Sequence, residues 1–153
     1  MLAVNIFMKN NIETLAKLEE TEIRKKVVNG IYKGDIRIKS KYVLPNLSDI
    51  IVTGYFDCSN NNLTSLEGAP KEVGGDFECA FNKLISLEGA PKEVGGNFGC
   101  YGNNLTSLEG APKEVGGDFD CSDNKLISLE GAPKEVGGGF DCYDNPVPLN
   151  YKS

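Results

Sequence analysis

Five cysteines, Cys58, Cys79, Cys100, Cys121 and Cys142, recur at intervals of 21 residues. Thiols can ligate metals, attack electrophiles or exchange electrons, and each use demands a particular setting. Structural zinc takes cysteines in closely spaced C-x₂₋₄-C pairs. A reactive thiolate needs a neighbouring cation, and none of the five has Lys, Arg or His beside it in sequence. The five therefore read as a column of reduced thiols packed as small apolar groups, with a metal or redox ladder as the alternative. Their odd number argues against a disulfide framework. Carboxylates offer a second chemistry. Asp118 and Asp120, or Asp141 and Asp144, lie near each other in sequence. General acid–base work, however, needs one carboxyl in an apolar pocket, and exposed strand positions provide none. Asp118, Asp120 and Asp123 approach a calcium loop without its D-x-D-x-D grammar. Gly74-Gly75 and its copies lack the Lys-Ser/Thr of a phosphate loop. The chain has no His, which excludes His-dependent catalysis, His-ligated zinc and His pH sensing. The expectation is a protein without catalytic residues, metal or cofactor, and not an enzyme.

Composition sets the outer bounds. The chain has 153 residues, 40 % hydrophobic and 25 % charged, as in a globular domain. No apolar run approaches the ~18 residues of a membrane span. Met1 to Asn10 is too short and polar for a secretory signal, so a cytoplasmic protein with reduced cysteines is expected. Charge is unevenly placed. Residues 1–55 hold nine Lys/Arg against six Asp/Glu, a net of +3, whereas residues 56–145 hold six Lys against sixteen Asp/Glu, a net of −10. The acidic block repels a nucleic-acid backbone and matches a basic protein surface.

A repeat positions these residues. The string LEGAPKEVGG begins unchanged at Leu66, Leu87, Leu108 and Leu129, within a unit F-x-C-x-x-N-x-L-x-S-L-E-G-A-P-K-E-V-G-G-x. NNLTS alternates with NKLIS at successive units, so the array reads as a duplicated pair. Val73, Gly75, Phe77 and Cys79 alternate with Gly74, Asp76 and Glu78, predicting one short strand per unit with Phe and Cys inward. A lone strand cannot bury its apolar face, so the units must stack as rungs of a parallel sheet at roughly 4.8 Å. Phe56, Phe77, Phe98, Phe119 and Phe140 then form an internal stack, and Leu63, Leu66 and their copies form two further rows. The Gly-Ala-Pro-Lys segment returns as an extended or tight turn. Asn61, Asn82, Asn103, Asn124 and Asn145 are placed to satisfy the turn leaving the strand, in their own unit or the next.

The segment F-x-C-x-x-N-x-L resembles the second half of the leucine-rich repeat consensus L-x-x-L-x-L-x-x-N-x-L. The match covers about residues 54–146, with a fifth, partial copy at Phe140 to Asn145. The unit resembles the short repeats of bacterial type III effectors, and still more the LTSLEGAPKEVGG repeats of proteins encoded by tailed bacteriophages. The consensus first Leu falls on Gly74, Gly95, Gly116 and Gly137, with Val one place earlier, so the strand should begin differently from the standard one. The resemblance implies an α+β leucine-rich repeat solenoid of 21-residue units with a parallel β-sheet. The ubiquitin-ligase activity of some type III effectors does not carry over, because all five Cys lie within repeats.

Residues 1–35 are expected to form a helical cap, 36–146 the solenoid with a degenerate first unit, and 147–153 a tail. Ile36 and Ile38 mimic Phe and Cys, and Leu44 and Leu47 mimic the two leucines. A helix is predicted from about Asn11 to Val28, with Ile12, Leu15, Leu18, Ile23 and Val27 on one face. Pro146 and Pro148 discourage further strand addition, with Leu149 and Tyr151 as remaining cover, so a homodimer through the C-terminal end is conceivable. Units differ at four positions on or beside the strand face, the usual concave binding surface. From these, Asp57, Asp76, Glu78, Phe81, Tyr101, Asp118, Asp120, Asp141 and Tyr143 are the candidate partner-binding residues, aromatic anchors amid acids. The expected function is a non-enzymatic protein-binding module, a phage accessory protein that inhibits a host protein such as a defence nuclease, in the manner of an anti-CRISPR protein. The partner is a protein with a basic surface, not nucleic acid or a membrane. Strict phosphate mimicry fails, because rungs at ~4.8 Å do not match the ~3.4 Å rise of a DNA strand. The alternative is a self-assembling or virion-associated structural protein.

Overall fold

A computed structural model describes residues 1–147. Helix α1 (Leu2–Arg24) leads into a hairpin of β1 (Val27–Val28) and β2 (Ile31–Tyr32), followed by β3 (Ile36–Arg37). Each later turn adds two short strands. These are β4 (Ile51–Val52) and β5 (Phe56–Asp57), β6 (Glu72–Val73) and β7 (Phe77–Glu78), then β8 (Glu93–Val94) and β9 (Phe98–Gly99). The series ends with β10 (Glu114–Val115) and β11 (Phe119–Asp120), β12 (Glu135–Val136) and β13 (Phe140–Asp141). The result is a β-solenoid with two parallel ladders, ordered β1-β2-β4-β6-β8-β10-β12 and β13-β11-β9-β7-β5-β3, only β1 and β2 being antiparallel. The pairing Phe56–Phe77–Phe98–Phe119–Phe140 places every unit one rung beyond the last.

Alternation from Val73 to Cys79 predicts one strand, and the chain makes two. It bends at Gly74–Asp76, and the hydrogen bonds change direction there. Gly74 N donates to Val52 O and Gly75 N to Gly54 O on the preceding rung, whereas Phe77 N donates to Asn97 O on the following one. Inward parity survives the bend, so a period-two pattern cannot reveal it. Glycine is required because rungs meet closely at this corner: a Cβ on Gly74 would lie 2.6 Å from Thr53 O. An Asx ladder runs along the same corner. Asp76 Oδ1 accepts Asn97 N at 2.8 Å, Asn97 Oδ1 accepts Asp118 N at 2.8 Å, and Asp118 Oδ1 accepts Gly139 N at 2.7 Å.

Inside, the phenylalanine rings stack with centroids 5.1–5.5 Å apart. Phe56, Phe77, Phe98 and Phe119 are fully buried with Cys58, Cys79, Cys100 and Cys121, while Phe140 and Cys142 are only partly covered. A second ladder keeps the polar backbone satisfied. Asn82 Nδ2 donates to Cys79 O of its own unit and Cys58 O of the preceding one, each at 3.0 Å. Its Oδ1 accepts Asn61 N at 3.0 Å and Leu63 N at 2.9 Å. The asparagine therefore serves its own rung and the preceding one, where the sequence pointed to its own or the next.

The degenerate first rung pairs as its sequence predicts, Ile36 beside Phe56, but spans 20 residues rather than 21. The helix begins earlier and ends earlier than its apolar periodicity predicts, because Val27 and Val28 leave it for a hairpin. The turn residues Asn29 and Gly30 have φ of 51° and 76°, and Asn-Gly fits such a two-residue turn. Its buried face is also different. Ala16 and Glu20 are covered, Ile12 and Ile23 are half-buried, and Leu15 and Leu18 are exposed. Ile23 packs against the core, and polar contacts complete the attachment: Glu19 accepts Lys39 N at 2.7 Å and Ser40 N at 3.0 Å, and Arg24 donates to Asn46 O at 2.8 Å. Pro148, Leu149 and Tyr151, invoked for the C-terminal end, lie outside the described residues, as does nearly all of the 147–153 tail.

Replacing Asn82 by Ala strands two buried N–H groups, those of Asn61 and Leu63, while Cys58 O and Cys79 O each keep one amide donor, from Asn61 and Asn103; each unsatisfied group costs about 1–3 kcal/mol. Asn82→Ala should therefore lower the unfolding free energy by roughly 2–6 kcal/mol in chemical denaturation. Asn82→Asp should also destabilise the protein, since a carboxylate cannot donate to Cys58 O and Cys79 O.

Candidate functional site

Inward residues of the Phe ladder leave their neighbours pointing out, so β3, β5, β7, β9, β11 and β13 present the column Arg37, Asp57, Glu78, Gly99, Asp120, Asp141. At its start the column is neutralised. Arg37 Nε donates to Asp57 Oδ2 at 3.0 Å, and its guanidinium lies 6.0 Å from the centroid of the Tyr55 ring. The other Asp57 oxygen accepts Ser59 N at 3.0 Å, and Asp120 likewise accepts Ser122 N at 2.9 Å. Glu78 differs. Burial first, then the charges of Asp57, Asp76 and Asp120, push its carboxyl up to about 7.

The third full unit breaks the column. A Cβ on Gly99 would lie 2.8 Å from Glu78 Cδ, so the Glu78 carboxyl occupies the space of a missing side chain. A second glycine does the same for an aromatic ring: a Cβ on Gly102 would lie 2.6 Å from Phe81 Cδ1. Tyr101, between these glycines, meets Phe81 edge-on, with centroids 5.1 Å apart and planes at 88°. Burial, followed by the charges of Glu78, Asp120 and Asp57, raises the Tyr101 phenol above its ordinary value. Phe81 is 52 % exposed. Its backbone is also unfavourable, with φ of +53° in a register column otherwise occupied by Asn60, Gly102, Asp123 and Asp144, all with positive φ. Those four residue types tolerate the left-handed region. A phenylalanine there carries about 1 kcal/mol of strain.

Of the nine residues singled out from sequence, the fold gathers Glu78, Phe81 and Tyr101 into one cluster. Asp57, Asp120 and Asp141 continue the column above and below. Asp76 and Asp118 belong to the corner ladder, each with one oxygen holding the next rung's backbone. Tyr143 is exposed but lies two rungs beyond Tyr101, and its N–H donates to Ser122 Oγ at 3.2 Å. Sequence reasoning missed Arg37 and Tyr55, which lie before the regular repeats, and the two glycines that seat Glu78 and Phe81. It also missed the left-handed column, although Asn, Gly and Asp at four of its five positions are the signature of that backbone.

The cysteine column is packed, not exposed. Cys58, Cys79, Cys100 and Cys121 are fully buried, and burial pushes their thiols up, that of Cys121 to about 12. Among the described residues no group of three potential ligands converges on a metal-holding arrangement, and no helix is long and apolar enough to cross a membrane. No protein-family model, no curated protein and no solved structure matches the chain.

In native protein at pH 8, Cys142 should react with a thiol reagent well before the other four cysteines, which should respond only on unfolding; mass spectrometry after timed alkylation reads this directly. Glu78 makes a second prediction. Its carboxyl, about 7 when folded against 4.5 in the unfolded reference, binds a proton more tightly in the folded state. Its contribution to stability therefore falls as pH rises through that window. Glu78→Gln should flatten this dependence and raise the melting temperature at pH 8 by roughly 2–4 °C.

Proposed function

We propose that this protein is a non-enzymatic binding module whose acidic, aromatic face docks a basic protein. The observation that carries the reading is the cluster on the third unit. Glu78, Phe81 and Tyr101 are held at the surface by two glycines of that unit, Gly99 and Gly102, although Phe81 strains the backbone. A residue kept where Asn or Asp would fit better points to selection for contact rather than for folding. The rigid ladder beneath suits this work, because side chains held in place by stacked rungs lose little freedom on association. A net of −10 over residues 56–145 complements a cationic partner and steers it into encounter.

Together with the likeness of its LEGAPKEVGG units to phage-encoded repeats, this supports an accessory protein that binds and inhibits a bacterial host protein. A defence nuclease is a natural target, since its nucleic-acid channel is basic and an acidic wall can block it without copying phosphate spacing. Anti-CRISPR-like inhibition is the specific form of this proposal, acting within the bacterial cytoplasm.

Affinity capture from bacterial lysate, with the triple variant Glu78→Lys/Asp120→Lys/Asp141→Lys as comparison, tests the reading. The expected result is a protein with a basic surface retained by the wild-type chain, released by rising salt and absent from the variant. No retained protein, or equal retention by both, would overturn it. Mass that grows with concentration in light scattering would favour the self-assembling alternative instead.

A further inference from the structure

We propose that Glu78, Phe81 and Tyr101, seated on Gly99 and Gly102, receive a single arginine side chain of the docked protein, an inference that rests on reading this face as a protein-binding surface. The molecule already shows how the face holds a guanidinium. Two rungs before Gly99, Asp57 accepts from Arg37 while the Tyr55 ring lies 6.0 Å from the guanidinium carbon. Carboxylate and aromatic ring recur one unit later as Glu78 with Phe81 and Tyr101, and here the cation is missing. Glu78 sits among Asp57, Asp76, Asp120 and Tyr101; Arg37 pairs with Asp57, and among the described residues no ion pair reaches Glu78 itself.

Geometry favours arginine over lysine. The Phe81 and Tyr101 rings meet at 88°, so one ring offers its face while the other closes the side. A planar guanidinium stacks on such a face and directs a fork of N–H donors at a carboxylate, whereas an ammonium is a hydrated point charge. The absent side chain at Gly99 leaves the Glu78 carboxyl lying flat across its rung instead of crowded by a neighbour in the column. Removing a cation–π partner typically weakens such capture roughly tenfold. Because the free carboxyl titrates near 7 through burial and its acidic neighbours, an arriving cation favours its charged form. Capture therefore strengthens from pH 6 to pH 8.

Titration of the ¹⁵N-labelled full chain with the peptide acetyl-Gly-Gly-Arg-Gly-Gly-amide tests the site by NMR. Expected are saturable shifts centred on the amides of Gly99, Tyr101 and Gly102, weaker with lysine in place of arginine and absent with uncharged citrulline. Phe81→Asn should weaken binding roughly tenfold or abolish it, with a melting temperature unchanged or higher, because Asn60 shows that Asn accepts this backbone. Tyr101→Ser, which copies Ser59 and Ser122 at the same register, supplies a second variant with the same expected loss. Shifts equal with citrulline, spread evenly from Asp57 to Asp141, or indifferent to both substitutions would overturn the arginine site. The titration needs no partner, so its failure removes this site alone. Failure of lysate capture instead removes the docking reading beneath it.

Discussion

A buried side-chain amide bonded to two rungs at once is the interaction on which this molecule depends. Asn82 donates to carbonyls on its own and the preceding rung and accepts two N–H groups from the latter. Asn103, Asn124 and Asn145 donate across rungs in the same way. Strands here are two residues long, so ladder hydrogen bonds alone define little of each turn. The asparagines fix the irregular remainder, and they leave no buried side-chain polar atom unpaired among the described residues. With that spacing set, phenylalanine falls on phenylalanine and thiol on thiol. The apolar column and the polar ladder thus enforce one register.

Rigid repetition has a consequence for the surface. Where every unit is alike, the outer face is a monotonous series of carboxylates that repel one another. The third full unit departs from this by removing side chains rather than adding them. Two glycines let the preceding unit's Glu78 and Phe81 settle sideways, and Tyr101 rises between them. Loss of bulk in one rung gives its neighbour a conformation that no other rung allows. Arg37 performs a complementary service at the start, neutralising Asp57 and leaving the negative field concentrated further along.

Much of the architecture was legible because a repeat multiplies its own signal. Any single copy of F-x-C-x-x-N-x-L is ambiguous, but four full occurrences and a fifth, partial one at one spacing admit only a stack of rungs. Inward Phe and Cys, the buried leucine rows and the backbone role of Asn all followed. The corner at Gly74–Asp76 did not, because alternation of inward and outward residues continues unbroken through the bend. Helix α1 was misplaced because amphipathic spacing extends through Val27 and Val28, whereas the Asn29-Gly30 turn diverts that pair into a hairpin. Leu15 and Leu18 were expected to be covered, yet the helix docks through Glu19 and Arg24, and hydropathy carries no information about such contacts.

The candidate site divides along the same line. Acids and aromatics at the variable positions are visible in the chain itself, since those positions differ from unit to unit while the NNLTS and NKLIS segments merely alternate. Which of them act together is a property of the stacked state. Residues three or more apart along the chain become neighbours across a rung, so Glu78 meets Gly99 and Phe81 meets Gly102 and Tyr101. Asp76 and Asp118 instead each hold the next rung's backbone at the corner. Composition and period were sufficient to determine a coiled, acid-faced solenoid, because burial of one apolar face per unit has a single solution. Only the tertiary structure decided which side chains stayed free, because that depends on how closely consecutive rungs approach and on which atoms are absent where they do.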